Sequence, residues 1–422
     1  MAAPRRLPVL LLQASNLASG VGNAAVMVAI PWLVLEVTDS PSAAGLVVAI
    51  AALPGLVAAP LAGWLVDHFG RRRVSVVADL LSALSVAGFP LAASRTELGL
   101  GILIALAVLG AVFDPAGNTA RRAAIPGVAG ASGVDAERLN GIHEGCFAAG
   151  WTLGPLVGTA LIAAVGATAS FWLPFGLFVF AALCMALLGR AAEVPDAHGA
   201  RSTAGAGWRG LFAGIEVLRD DRLLRALTVS IVILAAIYLP TETVLLPTHY
   251  EDLDQPGSLG VVIAFLAGGS TIGSFAYGWL RTRLSKRRIY QMAMVGTSVA
   301  IWPMAMLPPL IPMAIASFVL GLAWGPYNPL MNTLVQERVP ADQQGRVYGV
   351  QAAMFSSAPP IAILLVGLAV DWAGVRTTYL VLAGLLTAWT VVILRDPAIA
   401  EIDRPMEQPA DDEVEQPADQ PT

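Results

Sequence analysis

Charge is scarce in this chain. Only 13% of its 422 residues are Asp, Glu, Lys or Arg, while 56% are hydrophobic, and an ordinary soluble domain carries roughly 25% charged residues. A water-facing surface cannot be made from that ratio, so the chain is expected to lie in a bilayer. Cysteine is nearly absent. Cys146 and Cys184 both fall inside apolar stretches without a paired spacing, which leaves no disulfide framework and no Cys/His metal site, and both read as small core residues. Nor is there a glycine loop followed by Lys-Ser/Thr, a cluster of His and Cys ligands, or a plausible nucleophile triad. These absences argue against ATP-driven transport by this chain alone, and the expectation is no enzyme activity, no cofactor, no metal and no nucleic-acid partner.

What is there is apolar length. A crossing needs about 20 residues, and stretches of that kind run approximately over 7–35, 42–66, 74–94, 98–120, 140–165, 169–190, 224–248, 258–280, 289–308, 311–335, 347–370 and 376–394. Twelve spans place both termini on one side. If so, the N-terminus, the even-numbered connections and the C-terminal tail together hold 23 of the 25 basic residues, and the other side holds only Arg95 and Arg376. Basic residues concentrate on the cytoplasmic side of membrane proteins, so both termini of this multi-pass chain are expected in the cytoplasm. The first apolar stretch is too long for a cleavable signal and should remain as the first helix. The formal charge of −5 belongs to the tail: residues 397–422 hold eight acids and one arginine.

The chain repeats itself. Gly63-Trp64-Leu65-Val66-Asp67-His68-Phe69-Gly70-Arg71-Arg72-Arg73 returns in degraded form as Gly278-Trp279-Leu280-Arg281-Thr282-Arg283-Leu284-Ser285-Lys286-Arg287-Arg288, 215 positions later. Pro115-Ala116-Gly117-Asn118-Thr119, followed by Pro126, is matched by Pro329-Leu330-Met331-Asn332-Thr333, followed by Pro340, at an offset of 214. Two matches at nearly one offset imply two six-helix bundles related by an axis along the membrane normal, an architecture gated by rocking one half against the other. The expected division is a first bundle over 1–190, a cytoplasmic linker with an amphipathic helix over 191–222, a second bundle over 223–395 and a disordered acidic tail over 396–422. The linker opens with the Gly/Ala/Ser-rich piece Ala197 to Gly210, which cannot bury a core.

Several motifs carry possible chemistry. In the first copy of the loop, Gly63 allows close helix approach and Gly70 a tight turn, while Asp67 can accept hydrogen bonds from a helix N-terminus or pair with an arginine. Taken alone, Arg71 to Arg73 are ordinary cytoplasmic anchors. On the fifth span, Gly150, Gly154 and Gly158 recur every four residues with Pro155 among them, a flat stripe for close packing with a bend. Ionisable groups inside a span are costly and are functional candidates by default. Glu242, in Pro240-Thr241-Glu242-Thr243, has no basic residue near it in sequence, and burial without a cation favours the neutral form of a carboxyl, the condition for loading and releasing a proton. Glu144 is the second proton-coupling candidate, with pairing to Arg121, Arg122 or Arg138 as its alternative. Asp114 is expected to pair with Arg121 or Arg122, and Asp79 to be held by the arginine cluster just before it. Gln13, Asn16, Asn23, Asn328, Asn332 and Gln351 either face a central water-filled cavity or hydrogen-bond between helices. Trp32, Trp302 and Trp324 fit either an interfacial or a cavity-lining place.

The 63–73 stretch resembles the loop signature Gly-x-x-x-Asp-(Arg/Lys)-x-Gly-Arg-(Arg/Lys) of the major facilitator superfamily, with His68 where a fixed cation is usual. Gly150 to Thr159 resembles the Gly-x-x-x-Gly-Pro-x-x-Gly-Gly signature of its antiporters, with Thr159 in place of the last glycine. The runs Ile30-Pro31-Trp32-Leu33-Val34-Leu35, Phe69-Gly70-Arg71-Arg72-Arg73-Val74-Ser75, Leu139-Asn140-Gly141, Tyr238-Leu239-Pro240 with Glu242, and Gly345-Arg346-Val347 are similar to the Tap-type multidrug efflux pumps of actinobacteria. Twenty-four arginines against the single Lys286 fit a GC-rich genome of that kind. The resemblance implies an all-α, twelve-helix facilitator fold in the bacterial inner membrane and proton-coupled export of structurally varied antibiotics, tetracycline and aminoglycosides among them, by alternating access. It also implies a conformational latch at Gly63, Asp67, Gly70, Arg71 and Arg72, in a chain expected to act as a monomer with the bilayer, protons and a small molecule as partners. Two alternatives stand beside it: an exporter of an endogenous siderophore, lipid or metabolite, and a sensor that keeps the fold without transport.

Overall fold

The computed structural model describes residues 6–189, 219, 221–339 and 341–403, and these are helical almost throughout. In chain order the helices are α1 (Arg6–Thr38), α2 (Pro41–Phe69), α3 (Arg71–Ala93), α4 (Leu100–Ser132), α5 (Ala136–Val165) and α6 (Ala167–Leu188). They continue as α7 (Arg222–Glu251), α8 (Pro256–Arg281), α9 (Lys286–Ala305) and α10 (Leu310–Arg338). The stretch Ala341–Arg395 is helical except at Gly374, whose φ of +79° divides it into α11 (341–373) and α12 (375–395). Among the described residues, nine helices are long and apolar enough to cross a membrane by length and composition. Most of the expected linker, 191–218 and 220, and the tail from 404 lie outside the described residues.

Local chemistry sets the helix ends. An N-cap side chain that accepts a backbone N–H supplies one of the partners a helix start lacks. Ser40 does so for Ala43, Asp135 for Arg138, Asp221 for Leu224 and Ser285 for Arg288. Between α2 and α3 the chain reverses on the single residue Gly70, at φ +84°, a backbone region that side chains disfavour.

Lipid tails are as apolar as leucine, so helices in a bilayer associate through close fit rather than through exclusion of water. The stripe on α5 packs in that way on α1: a Cβ at Gly150 would come within 3.0 Å of Gly20, one at Gly154 within 2.4 Å of Ala24, and one at Gly158 within 3.1 Å of Ala25. A second and tighter stripe joins α8 to α10. Gly269 and Gly273 lie against the backbone of Phe318 and Leu322, and Gly321 and Gly325 against that of Leu266 and Ser270, with clearances of 2.0 to 2.4 Å for an added Cβ. In the first six helices α1 packs on α4, α5 and α6, α3 on α4 and α6, and α2 on α4; in the last six α7 packs on the α11–α12 stretch, α8 on α10, and α9 on α10.

The two groups of helices meet mainly through α2 with α11 and α5 with α8. Each meeting uses a glycine: Gly45 against the carbonyl of Ile363, Gly367 against Pro41 and Ser42, and Gly260 against the hydroxyl of Thr159. Ser42 N–H also donates to Asp371 Oδ1 at 3.2 Å. All of these contacts lie toward the end of the bundle opposite the arginines of the α2–α3 turn.

The expectation of disorder from residue 396 fails for the first residues of the tail. Pro397–Asp403 forms a 3-10 helix with Ala398, Ile399 and Ile402 buried, packed on α7 and α9. Its two isoleucines supply an apolar face. Arg338 Nη2 donates to Glu401 O at 2.9 Å, and Asp396 pairs with Arg222 at 3.2 Å.

Candidate functional site

Helix α7 changes pitch in its second half. It is α-helical from Arg222 to Pro240, forms a π turn over Thr241–Leu245, and resumes as an α-helix over Leu246–Glu251. Pro247 explains the change. It lacks the N–H that would bond to the carbonyl of Thr243, and its ring crowds that carbonyl; widening the preceding turn to i→i+5 bonds relieves both, and such turns recur at functional sites. Leu246 N–H accordingly reaches Thr241 O, while the hydroxyls of Thr241 and Thr243 donate back to Ile237 O and Leu239 O.

Glu242 sits in this turn and is 9% exposed. Its carboxylate accepts the Tyr238 hydroxyl at 2.7 Å, and among the described residues no arginine, lysine or histidine forms an ion pair with it. The turn packs on α1, α2 and the α11–α12 stretch, so this carboxyl stands where the two groups of helices meet. Tyr238 stacks on Trp324 (5.9 Å, 8°) and Trp324 on Tyr327 (5.4 Å, 5°), whose hydroxyl donates to Leu227 O. Trp324 is thus held in an aromatic stack between α7 and α10, Trp32 is buried, and Trp302 donates to Thr387 Oγ1 from a partly exposed place.

Asp79 and Asp114 are arranged otherwise than their sequence neighbours suggest. Arg121 on α4 donates from Nη1 to both oxygens of Asp79 on α3, at 2.9 and 3.0 Å, and from Nη2 to Ser19 Oγ on α1 at 2.8 Å. Asp79 is therefore held by a residue 42 positions away rather than by Arg71 to Arg73. Asp114 does not receive Arg121 either; it accepts a hydrogen bond from Asn23. The reason is reach, since Arg121 lies two turns beyond Asp114 on α4 and turns toward α3. The side chains of Arg121 and Asp79 are 3% and 4% exposed. Breaking such a pair leaves an uncompensated buried charge, so Arg121→Met is expected to cost about 3–5 kcal/mol, read as a loss of thermal stability in detergent, with Asp79→Leu added to Arg121→Met recovering most of it.

Glu144 is half-exposed and pairs with Arg122 at 3.2 Å, so it has a cation and access to its surroundings where Glu242 has neither. Of the amides, Asn16 donates to His143 O, Asn23 to Asp114 and to Ser19, and Gln351 to Thr228, all between helices except the contact with Ser19. Gln13 is buried, and Asn328 and Asn332 are exposed on one face of α10. Near the α2–α3 turn, the surroundings of Gly63 and the side chain of Asp67 lie outside what is described. Gly70 makes the turn, Arg71 and Arg72 are half-buried, and His68 is exposed and stacked on Trp64 at 5.3 Å. Cys146 and Cys184 are free thiols. Sequence reasoning missed the α8–α10 stripe, though Gly269/Gly273 and Gly321/Gly325 repeat at four-residue spacing, and it missed His143, which is fully buried on α5.

A bundle of apolar helices with buried acids and glycine-lined contacts between two helix groups defines a membrane transporter of the facilitator class. The Major Facilitator Superfamily profile matches residues 14–361 and 243–417. The chain is 34% identical over 407 residues to the multidrug efflux pump Tap of Mycolicibacterium fortuitum, covering 96% of this chain and 99% of that one. It is 36% identical over 405 residues to the pump of the same name from Mycobacterium tuberculosis, covering 94% and 95%. Among solved structures the nucleoside transporter NupG superposes with a TM-score of 0.75 at 11% identity, over 92% of this chain and 98% of that one. A bacterial homologue of the lysosomal transporter Spinster, inward-facing and unoccupied, superposes with a TM-score of 0.65 at 14% identity, over 94% and 93%. The chain belongs to the Major Facilitator Superfamily and is closely related to the Tap-type pumps. It is a multi-pass membrane transporter, not a catalyst.

Proposed function

We propose that this protein is a proton-coupled antiporter that expels structurally varied antibiotics, tetracycline and aminoglycosides among its candidates, from the cytoplasm by alternating access. The observation that carries the proposal is Glu242: a carboxyl without a described cation, bonded to one tyrosine hydroxyl, in a π turn where the two groups of helices touch. An ionised carboxyl there is costly and a neutral one is not, so proton binding and release change the energy of the helix junction itself. That is what coupling requires.

The architecture proposed is twelve transmembrane helices in two bundles, α1–α6 and α7–α12, with both termini cytoplasmic and the chain acting as a monomer. With the arginine-rich end inside, the contacts of α2 with α11 and of α5 with α8 lie on the outer side, and this state is closed outward. The stripe Gly150, Gly154, Pro155 and Gly158 fixes α5 to α1, which leaves Thr159 directed at Gly260 of the other bundle. Gly63, Asp67, Gly70, Arg71 and Arg72 form the latch of the inner side, to be engaged in the opposite state.

Separation of α2 from α11 is then obligatory in every cycle. In a variant without native cysteines, Ser42→Cys with Asp371→Cys is expected to form a disulfide on oxidation and to reduce gradient-driven tetracycline efflux from cells to background, with full recovery on reduction. Undiminished efflux in the crosslinked protein would refute the alternating-access proposal.

A further inference from the structure

We infer that Asp114 is a second proton-carrying carboxyl, serving the first bundle as Glu242 serves the second. The inference rests on the proton-coupled function proposed above and assigns a residue that function does not use.

Charge counting within the first bundle leads to it. Asp114 and Arg121 share α4, but both Nη atoms of Arg121 are committed, to Asp79 on α3 and Ser19 on α1. Arg122 is turned to Glu144 at the surface. Asp114 is left with an amide, Asn23 of α1, as its hydrogen-bond donor. On α5 the buried His143 is titratable; α6 carries no acid, histidine, lysine or arginine, its one thiol being Cys184, and α2 carries only Asp67 and His68, both at its end. Two carboxylates thus share one guanidinium. With both ionised the bundle interior would carry an uncompensated negative charge, which a medium of low dielectric penalises heavily. One proton removes the excess. Both oxygens of Asp79 accept from Arg121 Nη1, so the proton falls to Asp114, which has no ion pair among the described residues.

The repeat supports a division of labour. At the offset of 214 that relates Pro115 to Pro329, Asp114 corresponds to Asn328, a group that cannot take up a proton. Each half therefore has an intramembrane carboxyl whose described hydrogen-bond donor is neutral, Asp114 with Asn23 on α4 in the first and Glu242 with Tyr238 on α7 in the second.

A route also exists. Gln13, Asn16, Ser19 and Asn23 follow one another at three- and four-residue intervals and so share one face of α1, running from the arginine-rich end to Asp114. At the start of that line the side-chain amide of Gln13 and both ring nitrogens of His143 are buried with no protein partner among the described residues, and Asn16 is bonded to the His143 carbonyl at 2.8 Å. Buried polar groups of this kind are satisfied by water. A hydrated polar line of this sort connects Asp114 to the inner side.

Infrared difference spectroscopy of the purified full-length protein at neutral pH tests the assignment without needing transport. A protonated carboxylic acid gives a carbonyl band that shifts in deuterated water. Glu242→Gln and Asp114→Asn are each expected to remove a separate component of that band, and Asp114→Glu to retain one, with thermal unfolding confirming that each variant is folded. A band unchanged by Asp114→Asn overturns the inference. In vesicles, the number of protons entering per drug expelled is expected to fall by one in Asp114→Asn; an unchanged ratio also counts against it. If wild type shows no gradient-dependent efflux, the proton-coupled function fails, while the infrared band still decides whether Asp114 carries a proton.

Discussion

Glu242→Gln is expected to lower tetracycline efflux from cells to the rate that wild type shows once the proton gradient is collapsed. Glutamine fills the same volume and still presents a carbonyl oxygen to the Tyr238 hydroxyl, so the π turn and the aromatic stack behind it should persist, and the variant should reach the membrane in normal amount. What it cannot do is lose a proton. The junction of α7 with α1, α2 and the α11–α12 stretch is then held in one electrostatic state, and the return step has nothing to drive it. Loss of a positioned proton-transfer group costs on the order of a hundredfold or more in rate, which in an efflux assay is indistinguishable from the passive leak. Normal pumping by this variant would make Glu242 a structural residue and leave Asp114 as the proton-carrying candidate.

A large effect on stability is also expected at Gly321. Its Cα faces the carbonyl of Leu266, and a Cβ placed there would lie 2.0 Å from that oxygen. The obstruction is helix backbone, which cannot swing aside as a side chain can, so Gly321→Leu must push α10 away from α8 along the whole stripe that Gly269, Gly273 and Gly325 form. Overpacking of this kind costs about 3 kcal/mol or more, and it should appear as a large drop in the fraction of protein that stays monodisperse after heating in detergent. Gly384, where an added Cβ meets nothing within 4 Å, is the control: Gly384→Ala should leave the unfolding temperature unchanged. Equal behaviour of the two variants would mean that α8 and α10 are not held together by close backbone approach.

How much of this could be read from the sequence varied with the range of the interaction. Apolar length located the helices, because a crossing is a local property of about 20 consecutive residues. Glu242 stood out for the same reason, as one acid in a long apolar run. Its π turn did not, although Pro240 and Pro247 bracket it, because hydrophobic periodicity is read against a regular pitch. The Asp79 partner was misread since proximity along the chain favoured Arg71 to Arg73, whereas contact in space joined α3 to α4. Asp114 lost its expected arginine through that same exchange. The α5 stripe was legible through its proline and motif. The equally spaced glycines of α8 and α10 carried no such flag, and their meaning lay in the two helices facing each other. The helix at Pro397–Asp403 was hidden because its acids and prolines look like the tail that follows, and only Ile399 and Ile402 distinguish it.

The central claim is that drug leaves as protons enter through one and the same protein. The most direct test is purified wild type in sealed vesicles, with a pH gradient imposed and tetracycline and proton fluxes recorded together, beside Glu242→Gln. The account predicts drug movement against its own gradient, coupled to proton movement in the opposite direction, both absent from the variant. Drug transport that persists without the gradient, or proton flux that does not respond to drug, would contradict it.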